Sequence, residues 1–276
     1  MLRTQGCRSA FILLLLILTL TACAQERSFQ TRIATSPDSP QPDVQRPIIE
    51  VNPNTPEQAY GIYWDGKLTH PSQLPLDGTG FLKIMRLRNR AYATDILTKV
   101  IAAVGKNMIA KFPSSERLQV ADIAQFGGGQ VGGHRSHQNG LDADIVYLRK
   151  NLQEQEPHVN GFQESFVKNG KITANFDVAR NWHLMNELVA TKRVGRIFVD
   201  AAIKKAFCSY ITQLGVTPER TETLRRMGLV SLHDDHLHLR LKCPSTSTHC
   251  KLQVEPSTGS GCDLKSLVND TEGEIE

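Results

Sequence analysis

The sequence predicts an α+β fold, a single disulfide-stapled domain in which a small, mostly antiparallel central sheet is flanked by helices. Three observations favour this class. Helical and strand patterns are interspersed along the chain without the regular period of a doubly wound protein. Of the 276 residues, about 217 belong to the expected globular part, which is enough for one hydrophobic core. Four cysteines are placed to cross-link its C-terminal part.

The elements follow in order from their periodicity. Thr94 is the expected N-cap of a helix that ends near Lys111, because apolar residues recur at helical spacing between them. The later elements are a strand over 117–124, a glycine-rich loop over 127–133, a tight turn at Asn139-Gly140, a strand over 143–148, a helix over 175–190, a strand over 196–199, helices over 201–214 and 219–227, and a strand over 236–241.

Composition excludes several function classes. The chain is 40% hydrophobic and 22% charged with a formal net charge of +4, unlike a disordered acidic chain, a collagen-like repeat or a multi-span membrane protein. Removal of an export signal containing Arg3 and Arg8 leaves a net charge of 4 − 2 = +2. Basic residues do not run together with interleaved aromatics, so no nucleic-acid partner is expected.

Residues 1–22 have the layout of a lipoprotein signal peptide. Two arginines precede an apolar run that is too short to span a bilayer comfortably, and Leu-Thr-Ala leads into Cys23. This pattern resembles a bacterial lipobox, which implies cleavage before Cys23 and lipidation of that cysteine. The expected partner is then a membrane reached through the lipid. Because Ala24 rather than Asp follows, the outer membrane is expected. The alternative is an ordinary signal and a soluble periplasmic protein.

Residues 23–59 have the composition of a tether. Six of the chain's 13 prolines fall here among polar residues, and such segments are extended and poorly packed. One domain over 60–276 is expected to follow, ending in a short acidic tail without fixed structure. With Cys7 lost and Cys23 lipidated, an even number of cysteines remains, which predicts two disulfides with three open connectivities. These cysteines are Cys208, Cys243, Cys250 and Cys262.

Five of the nine histidines fall in two short windows, 132–144 and 233–241. His236 and His238 lie on one face of the predicted strand, about 6–7 Å apart. His137 and Asp144 flank the Asn-Gly turn, which can fold the chain back so that both approach one point. Two histidines and one aspartate suit a catalytic zinc ion, which keeps one position open for water.

Each motif has a simpler explanation when taken alone. His-x-His is common, an Asn-Gly turn fits a plain hairpin, and Asp142 and Asp144 fit solvated carboxylates on a strand. Their joint occurrence in an exported chain favours a metal site. A serine nucleophile is not expected, because Ser136 lacks the Gly-x-Ser-x-Gly elbow.

The two windows resemble a known family. Ser136–Asp144 carries the His-x6-Asp motif of the lysostaphin, D-Ala-D-Ala peptidase and hedgehog superfamily, and His236–His238 carries its His-x-His motif. More closely, Gly-Gly-His-x-Ser-His-Gln-x-Gly-Leu-Asp-x-Asp-Ile from Gly132, Arg-Ile-Phe-Val from Arg196 and His-Leu-Arg-Leu-Lys-Cys-Pro from His238 resemble the penicillin-insensitive murein endopeptidase family.

This resemblance implies a role for each site residue. The zinc ligands would be His137, Asp144 and His238, with His134 beside them at the metal or substrate rim. His236 is the expected general base and His233 its partner, although the two roles could be exchanged. The cysteines match as Cys243–Cys250 and Cys208–Cys262. The family carries an accessory Asp-Gly-Lys-His stretch, and the aligned residues here are Asn169-Gly170-Lys171-Ile172. One catalytic zinc is therefore expected, this stretch offers neither accessory ligand, and whether a second ion binds near His134 stays open.

The implied function is zinc-dependent hydrolysis of D-alanyl–diaminopimelyl cross-links in peptidoglycan by a metal-activated water. Two alternatives stay open. One is a zinc D,D-carboxypeptidase or L,D-peptidase acting on stem peptides. The other is a non-catalytic zinc-binding wall module, which the presence of both extra histidines argues against. The sequence does not predict an oligomeric state.

Overall fold

The computed structural model describes residues 49–263. The predicted signal peptide, the lipidation site Cys23, most of the tether and the acidic tail lie outside this range. The strands are β1 (Ala59–Ile62), β2 (Asp65–Leu68), β3 (Ser72–Gln73), β4 (Asp77–Gly78), β5 (Phe81–Lys83), β6 (Tyr92–Ala93), β7 (Leu118–Val120), β8 (Asp142–Val146), β9 (Val167–Lys168), β10 (Lys171–Ile172), β11 (Val194–Val199), β12 (Met227–Leu229) and β13 (His236–Leu241). The helices are α1 (Asp95–Lys111), α2 (Val178–Ala190), α3 (Ala201–Leu214) and α4 (Pro218–Arg225).

A seven-stranded sheet in the order β12-β11-β13-β8-β7-β5-β4 forms the centre of the fold. Four of its six pairings are antiparallel, and only β11–β12 and β5–β7 are parallel. Helix α2 packs against α1, α3 and α4. The predicted α+β class with a mostly antiparallel sheet and flanking helices is therefore confirmed.

Most predicted elements are present with small differences at their ends. α3 and β13 have the predicted bounds, whereas β7 is shorter than the predicted strand over 117–124. Ala121 N still donates to the Asp144 carbonyl of β8, and the Asp122 carbonyl accepts from Asp144 N. From Ile123 onward the partner changes, since Ile123 N donates to the Arg90 carbonyl. α2 starts three residues later than predicted, because the Asp177 side chain accepts from Arg180 N and caps it there.

Thr94 occupies the N-cap position of α1, but its side chain does not cap the helix with a hydrogen bond. Its hydroxyl donates to the Gly140 carbonyl, 3.2 Å away, and makes no bond to the helix. Gln58 supplies the missing acceptor, since its Oε1 lies 2.8 Å from the Asp95 amide. The first turn of α1 is thus satisfied by a residue 37 positions earlier, which no local pattern indicates.

The described end of the predicted tether is in contact with the domain. Ile49 is buried in the hydrophobic core, and Ala59 starts β1. β1 and β2 form a hairpin that is tied to the C-terminal region, where Gly61 pairs with Cys250.

Two disulfides join Cys208 to Cys262 and Cys243 to Cys250, the pairing that the family resemblance implies. The first attaches the C-terminal segment to α3, and the second closes a short loop directly after β13. Among residues 49–263, none of the helices is both long enough and apolar enough to cross a membrane.

Candidate active site

The central antiparallel pair β8–β13 carries half of the site. In its register Asp144 faces His238, Asp142 faces Arg240, and His236 faces Val146. Alternate residues of a strand share a face, so these polar side chains all lie on one side of the sheet. The intervening Leu237 and Leu239 belong to the hydrophobic core. His236 and His238 therefore share a face of the strand, as the sequence predicts.

The loop between β7 and β8, residues 121–141, carries the other half. The chain bends at Asn139-Gly140 within this long loop rather than making a two-residue hairpin. Gly140 has φ +74°, and a Cβ there would lie 2.7 Å from Leu68 Cδ1 and 3.1 Å from the Thr94 amide. Glycine thus allows the loop to sit directly on β2 and α1. His137, itself left-handed at φ +65°, is fully buried beneath it.

The predicted residues converge on one carboxylate oxygen. His137 Nε2 lies 3.3 Å from Asp144 Oδ1, His236 Nε2 lies 3.5 Å from it, and His238 Nδ1 lies 3.6 Å from it. His233 joins the same group, with its ring centroid 4.7 Å from that of His236.

His134, expected at the rim, is close enough to be a ligand. Its ring centroid lies 4.5 Å from that of His137. Ligand atoms of His134, His137 and Asp144 all lie within 4.8 Å of one another, which makes these three a group able to hold a metal ion. The expected ligand set contained His238 in place of His134, and the structure brings both histidines to Asp144.

Every histidine of the cluster is held by a protein acceptor through one ring nitrogen. Since carboxylates and carbonyls only accept, that nitrogen carries the proton, and in a neutral ring the other nitrogen keeps its lone pair. The pairs are His134 Nε2 with Asp122 Oδ2 at 3.0 Å, His137 Nδ1 with the Ile123 carbonyl at 2.9 Å, His233 Nδ1 with the Ser231 carbonyl at 3.0 Å, His236 Nδ1 with Asp235 Oδ1 at 2.6 Å, and His238 Nε2 with Asp142 Oδ1 at 2.8 Å.

Three of these acceptors are carboxylates outside the predicted site: Asp122, Asp142 and Asp235. Asp142 and Asp144 are both buried, so the alternative of solvated strand carboxylates is wrong. Asp142 could have been identified from its two-residue spacing to Asp144. Asp235 is adjacent to His236 in sequence. Nothing local marks Asp122, because its proximity to His134 depends on the path of the chain after β7.

Electrostatics keep the buried carboxylates ionised. Burial raises the pKa of Asp144, but His137 and His236 oppose this and hold it well below its usual range. Burial also raises the pKa of Asp142, and the Arg240 guanidinium, with Nε 2.6 Å away, more than offsets it. Burial lowers the pKa of His137, yet the Asp144 charge raises it to about 9.

The donor set fits a metal ion. Both oxygens of Asp144, His137 Nε2 and His134 Nδ1 are buried without a hydrogen-bond partner among the described residues. Such atoms are costly unless something binds them. Imidazole nitrogens with a carboxylate are ligands that zinc accepts. The residues can thus hold a metal beside three further histidines, an arrangement suited to hydrolysis.

Comparisons with known proteins identify the family of this chain. Residues 59–274 match the family described as penicillin-insensitive murein endopeptidase. A protein of that name from Haemophilus influenzae is 30% identical over 208 residues, which cover 73% of this chain and 69% of that protein. Those from Pectobacterium atrosepticum and Escherichia coli K12 are 29% and 28% identical, each over 74% of this chain and over 72% and 73% of their own lengths. The chain therefore belongs to the penicillin-insensitive murein endopeptidase family.

Proposed function

We propose that this protein is a zinc-dependent murein endopeptidase that hydrolyses D-alanyl–diaminopimelyl cross-links of peptidoglycan. The observation that supports it is the buried cluster, in which His134, His137, Asp144 and His238 offer inward-facing ligand atoms. Family membership supplies the substrate class, since the relatives are named for murein.

His137, Asp144 and His238 would hold the zinc, and His134 would stand beside them. When bound, zinc supplies Lewis acidity that polarises the scissile carbonyl and makes a water molecule a nucleophile near neutral pH. Asp142 fixes the orientation of His238, and the Ile123 carbonyl fixes that of His137.

His236 is the general base in this proposal. Its Nδ1–H donates to Asp235, so Nε2 faces the site with a lone pair, 3.5 Å from Asp144 Oδ1. The Asp235 carboxylate stabilises the imidazolium that forms when Nε2 takes a proton from the attacking water. His236 then donates this proton to the leaving amine. His233 lies beside His236 and would orient the water or stabilise the oxyanion.

Digestion of purified cross-linked muropeptide dimers, followed by mass spectrometry, tests the proposal. The wild-type protein should convert dimers to monomers, lose this activity to a chelator and regain it with zinc. The His236→Ala variant should keep stoichiometric zinc and lose hydrolysis. Loss of zinc from that variant would exchange the assignments of ligand and base.

The same digestion distinguishes the alternatives. Release of terminal D-alanine alone would indicate a carboxypeptidase, and cleavage beside an L-centre would indicate an L,D-peptidase. A non-catalytic wall module would give no chelator-sensitive product. His249→Ala is a suitable control, because His249 is exposed and pairs with Glu57, away from the cluster.

We also propose export and lipidation at Cys23, which places the enzyme in the periplasm on the outer membrane. The support is the lipobox-like sequence before Cys23. Two or more acyl chains give stable anchoring, whereas one gives only marginal binding. A Cys23→Ala variant should move from the membrane fraction to the soluble periplasmic fraction. Unchanged fractionation would contradict the lipid anchor.

A further inference from the structure

Two arginines meet a single buried carboxylate at the edge of the site. Arg88 Nη1 and Arg90 Nη1 each lie 2.7 Å from Asp122 Oδ2, the oxygen that also accepts from His134. The Asp122 side chain is only 1% exposed, whereas those of Arg88 and Arg90 are 26% and 20% exposed. The carboxylate is thus covered, and the two arginine side chains are partly exposed.

The arrangement carries more positive charge than it neutralises. One buried carboxylate faces two guanidiniums, and His134 contacts the same carboxylate oxygen. Arg88 Nε also bonds Asn160 Oδ1, while its Nη2 has no hydrogen-bond partner among residues 49–263. An exposed guanidinium edge with unused N–H groups is a site for a carboxylate.

Arg88 is linked through a short segment to His236, the proposed base. Its partner Asn160 is two residues from Phe162, and the Phe162 ring stacks on His236 with centroids 4.4 Å apart. His236 is the base that later protonates the leaving amine, so that amine must lie near it. Arg88 thus connects the His134 side of the site with the His236 side.

The chemistry of the expected cross-link supplies a matching anion. In a D-alanyl–diaminopimelyl amide, the carbon bonded to the scissile nitrogen also bears a carboxylate. We propose that Arg88 and Arg90 form a substrate subsite that binds this α-carboxylate and so determines specificity on the leaving-group side. This inference rests on the proposed function and names the part of the substrate that the arginines recognise.

The test compares two muropeptide dimers that differ only in amidation of that carboxyl group. Hydrogen bonds to charged groups contribute enough that wild-type kcat/KM should fall about 10- to 100-fold on the amidated dimer. For Arg88→Gln, kcat/KM on the dimer with the free carboxylate should fall by about the same factor. This variant should cleave the free and the amidated dimer with equal kcat/KM. Arg88→Lys should recover part of the preference, since it keeps the charge without the planar fork.

Arg86→Gln is the matched control. Arg86 lies in the same turn but bonds Asp77 Oδ2 at 2.8 Å and the Leu76 and Lys83 carbonyls. This variant should keep the wild-type preference for the free carboxylate. A third dimer is amidated instead at the C-terminal carboxyl of the stem. It shows whether the fall in kcat/KM comes from that carboxyl group or from the one beside the scissile amide.

Three outcomes would overturn the subsite: equal wild-type kcat/KM on both dimers, an undiminished preference in Arg88→Gln, or a loss confined to the dimer amidated at the stem terminus. If wild-type protein cleaves none of the dimers, the endopeptidase proposal fails instead. Binding of the same dimers to the His236→Ala variant still decides the subsite in that case, because equal affinities would contradict it.

Discussion

At the scale of single residues, the site depends on how each imidazole is oriented. A histidine can present either nitrogen to a metal, and the acceptor behind the ring decides which. Asp142 accepts a hydrogen bond from His238, the proposed metal ligand, and Asp235 accepts one from His236, the proposed general base. Two similar contacts thus support two different roles. This difference can be measured.

Asp142→Asn should weaken zinc binding by about 10- to 100-fold, because His238 loses the acceptor that fixes its tautomer. Arg240 also loses its buried carboxylate partner, so the variant should unfold at lower temperature. Competition with a chromophoric chelator gives the zinc affinity.

Asp235→Asn is the matched comparison. It should leave zinc affinity unchanged and lower the rate of muropeptide hydrolysis by about 10- to 100-fold. Equal zinc affinities in Asp142→Asn and wild type would contradict the assignment of His238 as a ligand.

The raised pKa of His137 predicts a pH dependence of metal binding. Burial lowers this pKa, and the Asp144 carboxylate raises it to about 9, above the ordinary value of 6.5. In the metal-free protein the His137 imidazole is therefore protonated at neutral pH, and zinc must displace that proton. Affinity should rise with pH until about 9. Calorimetry in two buffers of different ionisation enthalpy should detect the released proton, and zinc binding without proton release would contradict this.

The same pKa predicts how stability changes without metal. A group whose folded pKa is raised stabilises the fold fully below its unfolded pKa and loses that contribution as pH rises through the folded value. The contribution of His137 should be complete below about 6.5 and lost near 9. Urea unfolding of chelator-treated protein across this range measures it, and a midpoint that rises with pH there would argue against it.

At the scale of elements, the glycines of the loop over 121–141 serve two different needs, close packing at some positions and a left-handed backbone at others. Gly128 has φ +70°, and a Cβ there would overlap the Gln138 carbonyl oxygen. Gly129 has φ +78°, and a Cβ there would meet nothing within 4 Å. The two neighbours therefore separate backbone strain from steric overlap.

Gly129→Ala should cost about 1–2 kcal/mol of unfolding free energy, the cost of a left-handed alanine. Gly128→Ala should cost a further 1–3 kcal/mol or so, because the overlap must be relieved by moving the loop. That movement should also reduce zinc affinity, since the loop carries His137. Denaturant unfolding and chelator competition measure both effects, and equal losses in the two variants would contradict the packing.

Local patterns predicted the long elements well and the short ones poorly. Helical periodicity runs through the whole of α1 and α3, which have 17 and 14 residues. Strand β13 shows a clear alternation of polar and apolar residues. The two- and three-residue strands β3 to β6 and the hairpin β9–β10 carry no such signal and form only because a partner strand is present. The Asn169-Gly170 pair does make the tight turn of that hairpin, with both residues at positive φ.

At the scale of the whole molecule, the two disulfides close loops of very different length. Cys208–Cys262 spans 54 residues and Cys243–Cys250 spans 7. Loop entropy in the unfolded chain then assigns about 4 kcal/mol to the first and about 2 kcal/mol to the second. Each cysteine pair can be replaced by alanines and the loss of unfolding free energy measured by urea denaturation. A larger loss on removing Cys243–Cys250 than on removing Cys208–Cys262 would contradict the entropic account.

The sequence by itself determined the class of the fold, the two histidine windows and the residues that meet at the cluster. It did so because a strand places alternate residues on one face, and because the family motifs are long. Only the tertiary structure decided which nitrogen of each histidine faces inward, and that Asp122, Asp142 and Asp235 support them. Those contacts join residues on separate strands and loops, so their geometry depends on strand register and loop path, which no local pattern encodes. The same reason applies to Arg88 and Arg90, whose position beside the site follows from the packing of their turn against Asp122.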